Sequence, residues 1–173
     1  MAARSGLPVE RFIAAHNAND FFPRFLDGRR EEFKTSVRTL SNAMDVGAPS
    51  NFERLTHFWS KEELNQHIWA TSVTDPETRT RMKAVHEATG YVACPHTSVG
   101  LEAAHRFRQT TDDGHPLVVL ATAHPAKFPG TVAETLGIEA PTAGALERLN
   151  DQPTRYTALP PTLDALREEL LAV

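Results

Sequence analysis

Leu117-Val118-Val119-Leu120 is a run of four apolar residues with no polar alternation. A strand with one wet face alternates polar and apolar side chains, so an unbroken run marks a strand covered on both faces, as in a parallel sheet. Ala121 to Phe128 (ATAHPAKF) follows directly and puts Thr122 and His124 where that strand surfaces. Ligands of open α/β sheets collect beyond the carboxyl ends of strands, so chemistry is expected here first.

The rest of the chain supplies further elements for such a layered fold. Met1 to Ser5, then Gly6-Leu7-Pro8, has the pattern of a helix tail with a glycine cap and a proline stop. Val9 to Ala15 reads as a strand, and Asn17 to Asp20 as the polar turn opening a short helix through Leu26. Lys34 to Leu40 alternates loosely and is expected to be a short strand or extended segment. Helices are expected over Phe52 to Trp59 and Lys61 to Trp69. Thr74 or Asp75 as cap, Pro76 at the first position and Gly90 as stop define a helix over Pro76 to Thr89. Tyr91 to Ala93 reads as a strand, a helix starts at His96 or Thr97 and runs through about Arg108, and Asp112 to Gly114 reads as a turn. Helices over Pro125 to Leu136, interrupted at Pro129-Gly130, over Gly144 to Leu149 and over Pro161 to Leu171 complete the chain. Strands alternating with helices give the α/β class, a parallel-type sheet with flanking helices.

Composition narrows the partners. The 173 residues are 40% hydrophobic and 23% charged, ordinary for one domain with a core. The net charge of -4 and four scattered lysines (Lys34, Lys61, Lys83, Lys127) lack the clustered basic footprint that phosphate backbones require, so nucleic acid is not expected as a partner. No apolar stretch approaches the roughly 20 residues of a membrane helix, and the single Cys94 forms no internal disulfide, which suits a reducing cytoplasm. The histidines show no i to i+3 or i+4 spacing and no CxxC accompanies them, so no metal site is expected. The nine glycines form neither GxGxxG nor a P-loop.

A second polar segment, Leu40 to Leu55 (LSNAMDVGAPSNFERL), gathers Ser41, Asn42, Asp45, Ser50 and Asn51 around Gly47 and Pro49. Neutral hydroxyl and amide groups donate hydrogen bonds to a carboxylate or phosphate ester without adding charge. The same residues also suit turns and caps. Thr122 likewise reads either as a functional hydroxyl or as a helix cap, and His124 as a ligand-orienting or a packed loop residue.

With Asn17 to Leu26 (NANDFFPRFL) and Pro95 to Gly100 (PHTSVG), these segments resemble threonine synthase, a fold-type-II enzyme related in fold to tryptophan synthase β and dependent on pyridoxal 5'-phosphate (PLP). The resemblance runs from about Gly6 to the last helix and implies the C-terminal portion of that enzyme. It divides the chain into residues 1–35, the remainder of an interrupted N-terminal half; 36–142, an α/β part facing cofactor and substrate; and 143–173, C-terminal helices. It implies that the complete enzyme, a carbon–oxygen lyase, converts O-phospho-L-homoserine and water to L-threonine and phosphate in the threonine biosynthetic route. Thr122 then faces the pyridine nitrogen of PLP, and Ser41, Asn42, Asp45, Ser50, Asn51 and His124 lie toward the substrate. The family's Schiff-base lysine and glycine-rich phosphate loop fall upstream of the matching part. The PLP site is then incomplete and no catalytic residue is assigned; Lys127 is structural or supporting. The chain alone is expected to be inactive, and poorly soluble or associated through a bare sheet edge. The competing expectations are a non-catalytic remnant serving as a binding module, or a PLP-independent small-molecule binder. Two departures stand out: Cys94 replaces the acid of the family's Asp-Pro-His-Thr-Ala-Val-Gly segment, with Ser98 for its alanine, and His16 replaces a small hydroxyl residue before Asn17.

Overall fold

The computed structural model describes residues 5–29 and 32–172, which fall into two compact units divided between Pro141 and Thr142. The helix tail expected before Gly6 lies, apart from Ser5, outside the described residues.

In the first unit, β1 (Phe12–His16) pairs in parallel with β2 (Ile68–Ser72), in a register that sets Phe12 against Ile68 and His16 against Ser72. Between them the chain forms α1 (Phe21–Leu26), α2 (Phe52–Phe58) and α3 (Lys61–His67). Strand side chains alternate in direction, and both faces of the pair are used. Ala14, Ile68 and Ala70 pack with Phe21, Phe22, Phe25, Leu26 and Leu64, while Trp69 meets Phe107 edge-on at 5.5 Å between ring centroids. Helices α1 and α3 therefore cover one face and α5 (Pro95–Thr110) the other. The aromatic side is tied by Phe52, whose ring stands edge-on to Phe21 and Phe25, 4.8 Å from each.

α4 (Asp75–Thr89) packs on α5, and α6 (Pro129–Leu136) on α4. The N-terminus of α4 is closed by Thr74 and Glu77: both the Thr74 amide and its hydroxyl donate to the Glu77 carboxylate, at 2.8 and 2.7 Å. Its C-terminus ends at Gly90 in the left-handed conformation, φ 73°. Arg106 on α5 binds Glu102 one turn away, Glu77 on α4 and the Ser72 carbonyl at the end of β2. Glu102 also receives Arg81 of α4. Burial raises the Glu102 carboxyl, but the hydrogen bonds from Arg106 and Arg81 outweigh it and hold its pKa below the ordinary 4.5. The second unit contains α7 (Gly144–Asn150) and α8 (Leu163–Leu171), the latter capped by Thr162 accepting the Ala165 amide and carrying exposed Leu163, Leu166, Leu170 and Leu171.

Four sequence expectations change. The helix from Lys61 stops at His67 because Ile68 and Trp69 enter β2, where the β1 ladder outweighs helical periodicity. Lys34 to Leu40 is no strand; side chains from elsewhere take its backbone amides. Tyr91 to Ala93 is an irregular link between α4 and α5. Leu117 to Leu120 is neither in a strand nor covered on both faces: Val119 leans on Gly100 of α5, while Val118 and Leu120 are 84% and 75% exposed. A strand requires a backbone partner, and among the described residues none runs beside this segment.

Gly47 sits where the chain doubles back, and a Cβ there would stand 2.0 Å from the Lys34 carbonyl oxygen. Because that neighbour is backbone, Gly47→Ala is expected to destabilise the unit by about 1–3 kcal/mol in urea denaturation. Glu102→Gln is expected to cost about 1–2 kcal/mol at pH 7. A carboxylate with a lowered folded-state pKa contributes stability above its unfolded value that is lost as pH falls, so the gap between wild type and Glu102→Gln should close below about pH 4.5.

Candidate functional site

Beyond the carboxyl end of β1 the chain enters a polar knot. Asn17, 1% exposed, donates through Nδ2 toward the Thr39 and Ser41 hydroxyls, at 2.8 and 3.2 Å, and toward Asp45 Oδ1 at 2.8 Å. Its Oδ1 accepts the Asn19 amide and Nδ2, each at 2.9 Å. Asn19 then clasps Val37, accepting its amide at 2.7 Å and donating to its carbonyl at 2.9 Å. Asp45 closes the knot: Oδ1 receives Asn17, Asn19 and the Thr39 hydroxyl, and Oδ2 the Thr39 amide at 3.0 Å. A carboxylate meeting four donors is held fixed and has little capacity left for a ligand.

The sequence candidates thus divide. Ser41 and Asp45 are joined inside the knot, with Ser41 1% exposed. Asn42, Ser50 and Asn51 are exposed on the same loop. Asn17 and Asn19, read from sequence as a helix-start turn, organise that loop instead. Thr39 was missed; its only sequence signal is a hydroxyl residue two positions before Ser41.

Thr122 and His124 lie on the separate Ala121 to Phe128 segment and are both exposed. His124 caps the short 3-10 turn Pro125–Lys127, its Nδ1 accepting the Ala126 amide at 3.1 Å. The capping role open to Thr122 is therefore filled by His124, and no hydrogen bond engages the Thr122 hydroxyl among the described residues. Lys127 is exposed.

The two polar segments meet through α5. His96, second residue of that helix and 7% exposed, accepts the Ala43 amide through Nε2 at 3.1 Å and lays its ring beside Phe128, centroids 5.0 Å apart. Cys94 takes the N-cap position of the helix, its Sγ accepting the Thr97 amide at 3.4 Å, the bond an aspartate side chain makes more strongly at this place. His16 ends β1 against Phe22, 6.1 Å between centroids. Burial pushes its imidazole below the ordinary 6.5, the Asn19 carbonyl and Asp20 opposing. A small cleft opens beside the knot, lined by Asn19, Arg24, Lys34 and Gly47 among others. Among the described residues no helix is long and apolar enough to cross a membrane. The first unit therefore presents two segments with exposed polar groups, joined by the buried His96.

Residues 97–169 match the family model for threonine synthase, C-terminal. Threonine synthase of Serratia marcescens is 37% identical over 178 residues, covering 100% of this chain and 40% of the relative. That of Escherichia coli K12 is 36% identical, covering 99% and 39%. The crystal structure of the E. coli enzyme superposes with a TM-score of 0.82 over 99% of this chain and 39% of that one. The PLP-bound threonine synthase of Brucella melitensis gives 0.82 at 31% identity, over 98% and 41%. The chain spans about two fifths of the length of these relatives. In sequence and in fold it belongs to the threonine synthase family, as its C-terminal portion.

Proposed function

We propose that this chain supplies the substrate-facing wall of a PLP-dependent threonine synthase, which converts O-phospho-L-homoserine and water to L-threonine and phosphate, a carbon–oxygen lyase reaction of the cytoplasm without nucleic acid as a partner. The observation that carries the reading is correspondence along nearly the whole chain, at a TM-score of 0.82, with an enzyme solved with PLP bound. One feature of the chain itself supports the cofactor. Thr122 follows an apolar run with an exposed, neutral hydroxyl that no neighbour among the described residues engages, which fits an aromatic ring nitrogen needing a hydrogen-bond partner without a full charge.

PLP, when bound, supplies the electron sink for proton transfers next to the substrate amine. The chain's part is positioning. Thr122 would face the ring nitrogen and, being uncharged, would not force it to remain protonated. Asn42, Ser50 and Asn51 donate to the substrate's carboxylate or phosphate oxygens, and His124 lies beside them. Asp45 holds their loop from within and Ser41 locks it to Asn17.

In this reading the Schiff-base lysine and the phosphate cradle come from the portion of the enzyme that the chain does not match. Lys61 lies over the Phe25 ring, 4.8 Å from its centroid, and Lys127 is second to Thr122 and His124 on its own segment. The exposed Val118 and Leu120 agree: Leu117 to Leu120 has the composition of a doubly covered strand and gains its partner strands from that same portion. The three-part division of the chain at residues 35 and 142 belongs to this proposal as well.

The test mixes the purified chain with the N-terminal portion of the E. coli relative, ended where the match begins, and follows phosphate release from O-phospho-L-homoserine. Turnover is expected from the mixture with PLP and from neither part alone. Activity of the isolated 173 residues would overturn the incomplete-site reading, and an inactive but stably associated mixture would favour a binding module. In the active mixture Thr122→Val is expected to lower kcat by about tenfold or more and to shift the absorbance of the bound cofactor.

A further inference from the structure

His96 reaches both polar segments, and its chemistry fixes how it does so. A ring nitrogen that accepts a backbone N–H carries no proton, so with Nε2 facing the Ala43 amide the neutral ring holds its hydrogen on Nδ1. Nδ1 is buried and has no hydrogen-bond partner among the described residues. An unsatisfied buried donor is unfavourable, and packing alone is served better by an apolar ring. The nitrogen that does bond therefore carries the reason for a histidine here. Ala43 is the centre of the 3-10 turn Asn42–Met44, and Phe128 closes the turn Pro125–Lys127.

We propose that His96 is a positioning residue: a neutral imidazole that pins the Asn42–Met44 turn to the Phe128 end of the second segment and so sets the two polar edges in register. Its effect on turnover rests on the threonine synthase reading; the pin itself does not. Protonation breaks the pin, because a charged ring donates from both nitrogens and Nε2–H then confronts the Ala43 N–H. The charged groups that bear on the ring are Asp45 and Lys127. Burial lowers the imidazole pKa below 6.5, Asp45 raises it and Lys127 lowers it further, with a net lowering that keeps the ring neutral at pH 7.

Two substitutions separate the acceptor from the packing. His96→Phe keeps a ring against Phe128 and loses the acceptor; His96→Gln places an amide oxygen near the Nε2 position and loses the ring. Amide hydrogen exchange on the full chain is expected to speed at Ala43 by about threefold to tenfold in His96→Phe, with α4 unchanged, and to return toward wild type in His96→Gln. Unchanged Ala43 protection in His96→Phe would overturn the proposal. Should His96→Phe fail to fold, nitrogen-15 spectra of wild-type His96 decide: a neutral Nδ1–H tautomer at pH 7 supports the pin, and an Nε2–H tautomer or a charged ring overturns it. In the active mixture with the E. coli portion, a kcat loss in His96→Phe that His96→Gln restores supports the positioning role, and full kcat in His96→Phe overturns it. If the wild-type mixture shows no turnover, the functional reading fails while the exchange and tautomer measurements still decide the pin.

Discussion

The structure around the site depends on one carboxylate. Asp45 draws four donors from three residues, two of them, Asn17 and Asn19, at the end of β1 and one, Thr39, on the returning loop. Buried polar groups are costly singly and rigid when fully satisfied, so this knot turns a segment with a single 3-10 turn into a fixed surface. Apart from the 3-10 turn Asn42–Met44, Val37 to Gly47 has neither helix nor ladder to settle its backbone polar groups. Gly47 completes the arrangement by letting the loop lie directly on the Lys34 carbonyl.

The knot hangs on a scaffold built for position. The β1–β2 pair is short, yet it is packed on both faces, with phenylalanines from α1 on one side and Trp69 against Phe107 on the other. Arg106 fastens α5 to α4 and to the end of β2 through Glu102, Glu77 and the Ser72 carbonyl. That brace fixes the helix whose first turn carries His96. The path from core to site is thus continuous: sheet, α5, His96, and the two polar segments on either side of it.

A full enzyme divides its labour between a portion that holds the cofactor covalently and a portion that shapes the space beside it. In the proposed reading this chain belongs to the second kind. Its Asn42, Ser50, Asn51 and Thr122 are exposed, Glu102 is paired with Arg81 and Arg106 between α4 and α5, and Val118 and Leu120 of its most apolar run lie uncovered. An exposed valine and leucine in such a run are unfavourable in water and become favourable once partner strands lie beside them.

Local pattern alone determined much of this. Thr74, Pro76, Glu77 and Gly90 bounded α4, because caps and stops act within a few residues of the helix they close. Pro129-Gly130 marked the break between the 3-10 turn and α6. The ATAHPAKF and SNAMDVGAPSNFERL strings pointed to the family before any fold was known. Tertiary structure decided what depends on partners distant along the chain. Ile68 and Trp69 continue a helical pattern but pair with β1 some 56 residues away in the register, Phe12 to Ile68. Leu117 to Leu120 has a strand's composition and no strand's hydrogen bonds. Ser41 and Asp45 looked like surface groups and proved to be the inside of a knot, and His96 gained its role from an amide 53 residues earlier in the chain. Sequence records each residue's preferences; which preference is met depends on the neighbours that folding brings within hydrogen-bond reach.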